Sequence, residues 1–566
     1  MRRLALLLAL LVAAGACTDA AERTRPPEKP SREANRGRAS EPKPVEKVTR
    51  PAAGWLESGC QLPLDQMRRI RRGYFPGRSP EIVLVPREPN FFGGFIATSH
   101  SGPWDYLQDV PLVFYGPGFI RARGEVKLDR PVTLADLAPT LAKLLDTPAP
   151  SDVGEPIDEV LVPREQRPTP PKLIVTVVWD GGGLNVLDAW PGAWPYLARL
   201  MRTGASVTGV TVGSSPSVTP AVHTTIGTGA MPKQHGIVSI PVRDGDVVVD
   251  SYKDKSPKQI AVPTLADLYD QERGNRAKIG VLAYKAWHVG MIGHGAYMPG
   301  GDRDIAVLVD TQERLVTNPD FYSLPPYLHD VAGLDEAIET VDLDDGRRDS
   351  EWMGHRILDD PRLRRDTPAW TLYQTQLIKS LLSREGFGRD AVTDLFFTNY
   401  KQPDEAGHNW NMLRPEMREE LRYTDDALET LTTFLDRKVG RKEWVVVLTA
   451  DHGQGPDPLV SHAWPIRSEG LQRDVDAHFG VEGVFQHSSP AGYWVDRPTT
   501  TSNGITEEDI ADFLVDYRLE ANIPEGEDIP HQYESRLREP IFSAAFPSRH
   551  MGKVWRCVKG QTPAGG

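Results

Sequence analysis

Three apolar, β-rich runs that each lead into ligand-type residues most constrain how this chain can fold. The runs are residues 172–179, 394–400 and 444–449, and helical stretches flank them. Continuous Val, Ile, Leu and Phe runs are typical of buried parallel strands, because both faces of a parallel sheet are covered. Functional groups gather beyond the carboxyl ends of such strands. The sequence therefore predicts an α/β fold in which the following polar residues meet at one edge of the sheet: Asp180, Asp404, His408, Asp451 and His452.

Asp and His residues after all three runs predict a shared metal site. Carboxylate oxygens and imidazole nitrogens are the usual ligands of zinc in proteins. Asp404 and His408 are spaced i, i+4, which places both on one face of a helical turn. Singly, each piece has an ordinary alternative: a turn at 180–182, or a solvated helix face at 404–408. The complete set, in this order along the chain, favours metal binding.

A segment between the first two runs carries a candidate nucleophile. Residues 215–237 read SPSVTPAVHTTIGTGAMPKQHGI. This segment resembles the nucleophile region of nucleotide pyrophosphatase/phosphodiesterases and of Thr-dependent alkaline phosphatases, which belong to the alkaline phosphatase superfamily. There a Thr opens a helix ten residues before the Gly of a Thr-Gly pair, and that spacing leads from Gly229 back to Thr219. A metal and a helix N-terminus would activate the hydroxyl, whereas an ordinary N-cap before Pro220 is the alternative.

The resemblance implies a fold, a mechanism and two Zn²⁺ ions. The expected fold is an α/β alkaline phosphatase-like sandwich with a mostly parallel central sheet flanked by helices, plus an inserted cap at about 240–390. Thr219 would attack phosphorus and form a phospho-threonine intermediate. Asp180, Asp451 and His452 would hold one zinc beside Thr219. Asp404 and His408 would hold the other zinc, which needs a third ligand.

That third ligand is not in the place where the family has it. His462 and His487 follow the last run, but neither has the family's usual sequence context. Residues 73–145 instead resemble the C-terminal end of bacterial alkaline phosphatases, with His100 before Ser-Gly and Tyr106. We therefore expect His100 to be the ligand in a circularly permuted chain. The expected parts are a permuted segment at 54–160, a Pro-rich linker at 161–171 and the main part of the domain at 172–566.

Two cysteines lie just inside the two ends of the globular region. In the unpermuted order Cys557 would lie shortly before Cys60, so the permutation implies that the two meet in space. In an exported protein such thiols tend to pair. We predict a disulfide between Cys60 and Cys557, and the alternative is two unrelated free cysteines.

The N-terminus predicts export. Residues 2 and 3 are Arg, residues 4–14 are an apolar run too short to span a membrane, and Ala14-Gly15-Ala16-Cys17 resembles the lipobox of bacterial lipoproteins. The prediction is a signal peptide at 1–17, lipidation of Cys17 and a disordered tether at 18–53, rich in Pro and charge. The enzyme would then be a membrane-anchored lipoprotein, periplasmic or at the cell surface. Simple secretion is the alternative, since Ala14 stands where Leu is usual.

Two departures from the related phosphatases bear on the substrate. Monoester-cleaving relatives carry a Lys-x-Arg pair, but here Lys285 is followed two residues later by Trp287. An Arg would clamp a dianionic monoester, whereas Trp287 offers a ring that stacks on a flat group or simply packs in the core. Ile240 replaces an Asn that donates to phosphate in both related groups. These changes favour phosphodiesters or nucleotide pyrophosphates, with a nucleotide among the candidate substrates.

The sequence disfavours some other functions and leaves several alternatives open. The net charge of −13 argues against general nucleic-acid binding. Thr219-Pro220 does not supply a sulfatase's Cys/Ser-x-Pro-x-Arg motif. A phosphate monoesterase or a headgroup phosphotransferase would use the same residues, and a binding lipoprotein with a degenerate site is the non-enzymatic alternative.

Overall fold

A ten-stranded mixed sheet forms the centre of the fold, in a computed structural model that describes residues 54–94, 98–167, 169–490 and 492–560. The predicted signal peptide at 1–17, Cys17 and the tether at 18–53 lie outside the described residues. None of the described helices combines the length and the apolar composition needed to cross a membrane.

The strands are, in chain order, β1 (Ile82–Pro86), β2 (Phe91–Phe92), β3 (Leu112–Tyr115), β4 (Gly124–Val126), β5 (Val132–Thr133), β6 (Leu173–Trp179), β7 (Ala205–Val207), β8 (Val210–Thr211), β9 (Pro241–Asp244), β10 (Val247–Asp250), β11 (Ile279–Ala283), β12 (Asp304–Val309), β13 (Leu315–Val316), β14 (Tyr322–Ser323), β15 (Glu351–Trp352), β16 (His355–Arg356), β17 (Asp394–Tyr400), β18 (Trp444–Thr449), β19 (Pro465–Ile466), β20 (Phe485–Ser489), β21 (Gly492–Val495) and β22 (Phe542–Pro547).

The α-helices are α1 (Trp55–Cys60), α2 (Leu64–Gly73), α3 (Asp105–Gln108), α4 (Leu137–Leu145), α5 (Leu184–Ala189), α6 (Pro195–Thr203), α7 (Thr219–Thr228), α8 (Pro232–His235), α9 (Leu265–Glu272), α10 (Leu334–Asp342), α11 (Pro361–Arg364), α12 (Pro368–Arg384), α13 (Gln402–Trp410), α14 (Pro415–Leu435), α15 (Pro458–Ser461), α16 (Ser468–Phe479), α17 (Arg497–Ser502), α18 (Glu507–Val515) and α19 (Met551–Val558).

The middle of the central sheet is parallel. Its order is β13-β12-β11-β17-β6-β18-β3-β7-β4, with β14 beside β12. Strands β12, β11, β17, β6 and β18 form a parallel row, which is flanked by β13, antiparallel to β12, and by β3, antiparallel to β18. Every residue of β6, β17 and β18 is buried. The three apolar runs are therefore adjacent parallel strands, as the sequence predicts.

Helices cover both faces of this sheet. Successive residues of β6 point to opposite faces, and Ile174 belongs to the core layer that contains Leu141 of α4 and Val222 of α7. Val175 belongs to the other core layer, which contains Leu197 of α6 and buried side chains of α12 and α14. The arrangement is an α/β sandwich with a mostly parallel central sheet flanked by helices, as the sequence predicts.

Part of the range predicted to form a cap, about 240–390, lies in the central sheet instead. Strands β11 and β12 extend the parallel row beyond β17. All five residues of β11 are buried, as are five of the six in β12. These short apolar runs lack the periodicity over longer stretches that would have identified them from the sequence.

The two ends of the described chain meet at a second sheet. This four-stranded sheet has the order β20-β21-β1-β22, and β1 pairs antiparallel with both β21 and β22. Helices α1 and α19 lie against each other beside it, and a disulfide joins Cys60 to Cys557 with a Cα–Cα distance of 5.3 Å. The predicted disulfide is confirmed.

Removing this disulfide should lower the stability of the fold. The bond closes a loop with a sequence separation of 497 residues, and constraining so long a loop in the unfolded chain is worth about 5 kcal/mol. We expect the variant with Cys60→Ser and Cys557→Ser to unfold at a lower temperature than the wild type in calorimetry. Reductant should lower the wild-type transition and leave that of the variant unchanged. Equal transitions for the two oxidised proteins would contradict the prediction.

Candidate active site with clustered metal ligands

The predicted site residues meet at the carboxyl edge of the parallel strands. Asp180 follows β6 directly, Asp404 lies on α13 just after β17, and Asp451 with His452 follows β18. Because β17, β6 and β18 are neighbours in the sheet, these side chains converge.

Glycines at this edge allow the segments to approach closely. Gly181 has a φ of +68°, and a Cβ there would lie 2.9 Å from the Cα of Asp404. A Cβ on Gly183 would lie 2.5 Å from the Cα of Gly453. The glycines after Asp180 are therefore required by packing between the strand ends, which an ordinary surface turn would not need.

The first predicted ligand group is assembled around His452. Its Nε2 atom lies 3.3 Å from Oδ2 of Asp451 and 3.5 Å from Oδ1 of Asp180. One ligand atom from each of the three residues lies within 4.8 Å of the others, and all three residues are fully buried. This is the set that the sequence predicts for the zinc beside Thr219.

The second predicted group surrounds Asp404. Its Oδ1 atom lies 3.4 Å from Nε2 of His408 and 3.5 Å from Nε2 of His100. The ring of His100 also stacks on His452, with centroids 3.4 Å apart. His100, which the sequence places before the first of the three apolar runs, therefore lies among the predicted ligands.

The two alternative histidines lie elsewhere. His462 is exposed, and His487 lies in β20 of the second sheet, where its ring contacts Trp494 edge-on. Neither belongs to any of the possible metal-ligand groups in the described part of the chain.

Thr219 is the first residue of α7 and is buried beside these groups. It precedes Pro220, whose missing N–H costs nothing at a helix start. Its Oγ1 accepts a hydrogen bond of 3.2 Å from Nζ of Lys401. The helix begins where the sequence predicts, so the hydroxyl lies at the positive end of the helix dipole.

Lys401 is a central residue that the sequence reading missed. Its buried ammonium lies 2.9 Å from Oδ1 of Asp180 and 2.5 Å from Oδ2 of Asp404. Burial opposes protonation, but Asp180 and Asp404 outweigh it and raise the pKa of Lys401. The one available signal was the position of Lys401 directly after β17, at the edge where the other polar residues gather.

The charges of this cluster suit added cations. Oδ2 of Asp451 and Nε2 of His452 are buried without a hydrogen-bond partner among the described residues. Burial first, and then the Asp180 carboxylate, raise the pKa of Asp451 well above its usual range. Burial lowers the pKa of both His100 and His452, which favours the neutral imidazole that ligates metals. The donor set therefore fits divalent metal ions.

The predicted substrate-binding pair follows β11. Nζ of Lys285 lies 3.2 Å from Oε1 of Glu405 and 5.0 Å from the centre of the Trp287 ring. Trp287 is half-buried against the core. Arg243, which follows the nucleophile segment, forms a buried ion pair with Glu81 at 2.9 Å.

Two further histidines that sequence reasoning missed face Asp180. His223 lies four residues after Thr219 on α7, and His288 follows β11. Both are fully buried, and with Asp180 they form a further possible metal-ligand group. His223 is visible in the nucleophile segment, but nothing in its spacing relates it to His288.

Comparisons with known proteins agree with this geometry. The family described as Type I phosphodiesterase / nucleotide pyrophosphatase matches residues 174–509, more than half of the chain. The chain belongs to this family. The matched range contains Asp180, Thr219, Asp404, His408 and the Asp451-His452 pair, whereas His100 lies before it.

Individual relatives of this type I phosphodiesterase family member are distant. The chain is 21% identical over 435 residues to alkaline phosphatase PafA of Elizabethkingia meningoseptica, covering 66% of this chain and 78% of PafA. It is 22% identical over 331 residues to alkaline phosphatase PhoV of Synechococcus elongatus, covering 50% of this chain and 59% of PhoV.

Solved structures show the same fold. The crystal structure of wild-type PafA matches with a TM-score of 0.52 and 19% identity, covering 68% of this chain and 85% of PafA. The chain thus has the alkaline phosphatase-like fold, and its family is one of hydrolases that act on phosphoric esters.

Proposed function

We propose that this protein is an exported, metal-dependent hydrolase that cleaves phosphodiester or nucleotide pyrophosphate bonds through a phospho-threonine at Thr219. The observation that carries the proposal is the position of the Thr219 hydroxyl. It lies at the start of a buried helix, 3.2 Å from the Lys401 ammonium and beside two groups of carboxylates and imidazoles. A hydroxyl in such surroundings has what phosphoryl transfer requires: positioning and compensation of negative charge.

Two zinc ions fit the ligand sets. Asp180, Thr219, Asp451 and His452 would hold one, and His100, Asp404 and His408 the other. When bound, these ions would lower the pKa of the Thr219 hydroxyl and neutralise charge on the phosphoryl oxygens.

The chain's own groups have defined parts in the reaction. The Oγ1 atom of Thr219 attacks phosphorus, a Thr–O–P bond forms, and the bond to the leaving oxygen breaks. Water then cleaves the Thr–O–P bond and restores the hydroxyl. The N-terminal amides of α7 and the Lys401 ammonium lie where they can stabilise the phosphoryl oxygens. Lys401 thereby supplies a positive donor in a site where Ile240 and Trp287 stand in place of the relatives' Asn and Arg.

The names of related proteins and the position of Trp287 bear on which phosphate ester the site prefers. The two relatives are named alkaline phosphatases, whereas the family description names a phosphodiesterase and a nucleotide pyrophosphatase. Trp287 supports the proposed phosphodiester or nucleotide pyrophosphate substrate. Its half-buried ring beside Lys285 offers a stacking face but no second cation for a dianionic monoester. A monoesterase or a headgroup phosphotransferase is the alternative.

The test compares substrates on the purified full-length protein. Bis-nitrophenyl phosphate should be hydrolysed with a higher kcat/KM than nitrophenyl phosphate, and a chelator should remove both activities. Higher kcat/KM on the monoester would replace the proposal with a phosphatase. Transfer of phosphoryl groups to added alcohols would favour the transferase. No metal-dependent turnover of either ester would favour the binding lipoprotein.

Lys401 should stabilise the folded protein when no metal is bound. Its ammonium forms ion pairs with the carboxylates of Asp180 and Asp404. Removing one member of a buried ion pair lowers the free energy of unfolding by about 3–5 kcal/mol. We expect Lys401→Met to lower the unfolding temperature strongly in chelator and little in zinc. The control is Lys285→Met, which removes a half-buried lysine paired with Glu405. The prediction is wrong if chelator destabilises both variants equally.

We also propose that the chain is a circular permutation of the family's usual order. The proposal is supported by the proximity of the two ends of the described chain. They are joined by the pairing of β1 with β22 and by the Cys60–Cys557 disulfide, and the early strand β3 pairs with the late strand β18. A re-ordered chain that begins at residue 172, with 560 joined to 54 by a short linker, should fold and keep its activity. An insoluble product would count against the permutation.

Anchoring through Cys17 is a proposal from the sequence alone. Wild-type protein should sediment with membranes, and Cys17→Ser should move it to the soluble fraction after export. Membrane association that survives the substitution would overturn lipidation at Cys17.

A further inference from the structure

Three carboxylates gather at the edge of the central sheet opposite the proposed active site. Asp270 lies in the last turn of α9, Asp304 is the first residue of β12, and Asp302 lies in the loop just before it. One carboxylate oxygen of each lies within 4.8 Å of the others. Strand β12 runs parallel to β11, and β11 to β17. The group is therefore about 20 Å, the length of a six-residue strand, from the edge that carries the proposed zinc ligands.

Asp304 is the residue whose surroundings call for a ligand. It is 8% exposed, yet none of the described residues donates a hydrogen bond to its carboxylate or forms an ion pair with it. Pairing of its backbone with Tyr322 of β14 holds it in the sheet. Its carboxylate lies within reach of those of Asp270 and Asp302. A buried carboxylate with neither a donor nor a cation is strongly unfavourable.

Asp270 and Asp302 add negative charge to the group and no donor. Oδ1 of Asp270 accepts a hydrogen bond of 3.1 Å from the N–H of Ala277. Burial first, and then Asp302, raise the pKa of Asp270 to about 7. Burial, followed by Asp270, raises the pKa of Asp304 well above its usual range. A divalent cation would offset two of these charges at once and would give the Asp304 oxygens the partner that they lack.

The basic side chains nearest in sequence are engaged elsewhere. Arg273 pairs with Glu272 at 3.6 Å, and Lys278 pairs with Asp390 at 3.7 Å. None of the described basic residues forms an ion pair with any of the three carboxylates. The last turn of α9 contains no basic residue, and the C-terminus of a helix adds partial negative charge. The chain itself therefore supplies no cation to this group.

The ligand atoms select the kind of ion. Three carboxylate oxygens without nitrogen or sulfur favour a hard cation, whereas zinc prefers imidazole and thiolate ligands. Ca²⁺ binds oxygens at about 2.3–2.6 Å in flexible geometry, so two of its ligands can lie up to about 5 Å apart. The spacing of this group, within 4.8 Å, meets that limit. Asp302 is exposed, which leaves one side open for the waters that complete the coordination of Ca²⁺.

We propose that Asp270, Asp302 and Asp304 form a calcium site that is separate from the proposed catalytic metals. The bound ion ties the end of α9 to the loop before β12. Tyr269 of α9 belongs to the same core layer as Val281 of β11, so the ion stabilises this end of the sheet. The site goes beyond the proposed function, because it takes no part in the reaction and does not depend on Thr219 being the nucleophile.

Calcium binding by the zinc-loaded, full-length protein tests the proposal. Equilibrium dialysis against radioactive Ca²⁺ at pH 8 should show about one ion per wild-type chain, with a Kd of about 10⁻⁴–10⁻³ M. Asp304→Asn and Asp302→Asn each remove one ligand charge and should weaken binding about 10-fold or more. The matched control is Asp335→Asn, which removes an exposed carboxylate of α10 that belongs to none of the possible ligand groups in the described chain.

Thermal unfolding gives a second readout with a defined sign. Saturating Ca²⁺ should raise the unfolding temperature of the wild type by about 2 °C and leave that of Asp304→Asn almost unchanged. Without Ca²⁺, Asp304→Asn should unfold at a higher temperature than the wild type at pH 8, because it removes an unpaired buried charge. A lower temperature would mean that protein donors already satisfy Asp304, which contradicts the proposal.

The exposed variant keeps the test decisive if Asp304→Asn does not fold. Asp302→Asn changes a surface side chain, so its fold should be intact. Absence of Ca²⁺ binding by the wild type, or equal Ca²⁺ affinity in the wild type and Asp302→Asn, overturns the calcium site. An inactive protein that binds Ca²⁺ keeps this site and removes the proposed function, whereas an active protein that binds none does the reverse.

Discussion

Replacing Thr219 with Ala is expected to lower kcat for ester hydrolysis by roughly 10³- to 10⁶-fold, the range seen when a covalent nucleophile is removed. The reason is geometric. The Oγ1 atom is the hydroxyl that the start of α7 presents to Lys401 and to both ligand groups. The other proposed metal ligands and the α7 amides remain in the variant, so a residual rate above the uncatalysed reaction should persist. Steady-state kinetics with bis-nitrophenyl phosphate measures the effect.

Two variants separate loss of the nucleophile from damage to the helix. Thr219→Ser keeps a hydroxyl at the same place and should retain a substantial part of the activity. Thr225→Ala removes a buried hydroxyl two turns along the same helix, which bonds to Ala221 and His235. It should change stability more than kcat. Wild-type activity in Thr219→Ala would refute the assigned nucleophile.

His100→Ala is expected to lower activity by about 10²-fold or more at stoichiometric zinc, with partial recovery at high zinc. His100 lies 3.5 Å from Asp404, and removing one of the three proposed protein ligands would weaken metal binding at that side of the site. Activity titrated against free zinc, together with the metal count per chain, measures the change. A loss of activity that zinc cannot recover would mean misfolding, which circular dichroism would reveal.

The chain provides matched controls for this ligand. His487→Ala and His462→Ala remove the two other candidate histidines, neither of which lies in a ligand group among the described residues. Both variants should keep wild-type zinc dependence. If His487→Ala behaved like His100→Ala, the third ligand would have been assigned wrongly.

The residues that the sequence predicted share one property: each follows a local pattern. Asp180, Asp404 and Asp451 come just after apolar runs, and Thr219 begins a helix marked by Pro220. Short-range rules recognise such positions, because strand ends in a parallel sheet gather at one edge. A local pattern was not enough to predict His100. That prediction depended on the resemblance of its segment to one normally found at the other end of related chains.

The residues that were missed depend on contacts between distant segments. His288 reaches Asp180 because β11 lies beside β17 in the sheet, and nothing near residue 288 indicates that neighbour. Strands β11 and β12 are short, and their range was assigned to a cap instead. Lys401 was visible at a strand end, but a lysine there has many ordinary roles. Only the distances from its ammonium to Asp180, Asp404 and Thr219 reveal its place.

The pairing of β1 with the last strands has a consequence for the order of synthesis. Among the described strands β1 is the first to leave the ribosome, yet its partners β21 and β22 begin more than about 400 residues later, at Gly492 and Phe542. Contacts so distant in sequence close late and slow folding. The first segment, which also carries His100, therefore waits unpaired until almost the whole chain exists. Such a delay would be compatible with the proposed export, in which the polypeptide is threaded through a membrane before it folds.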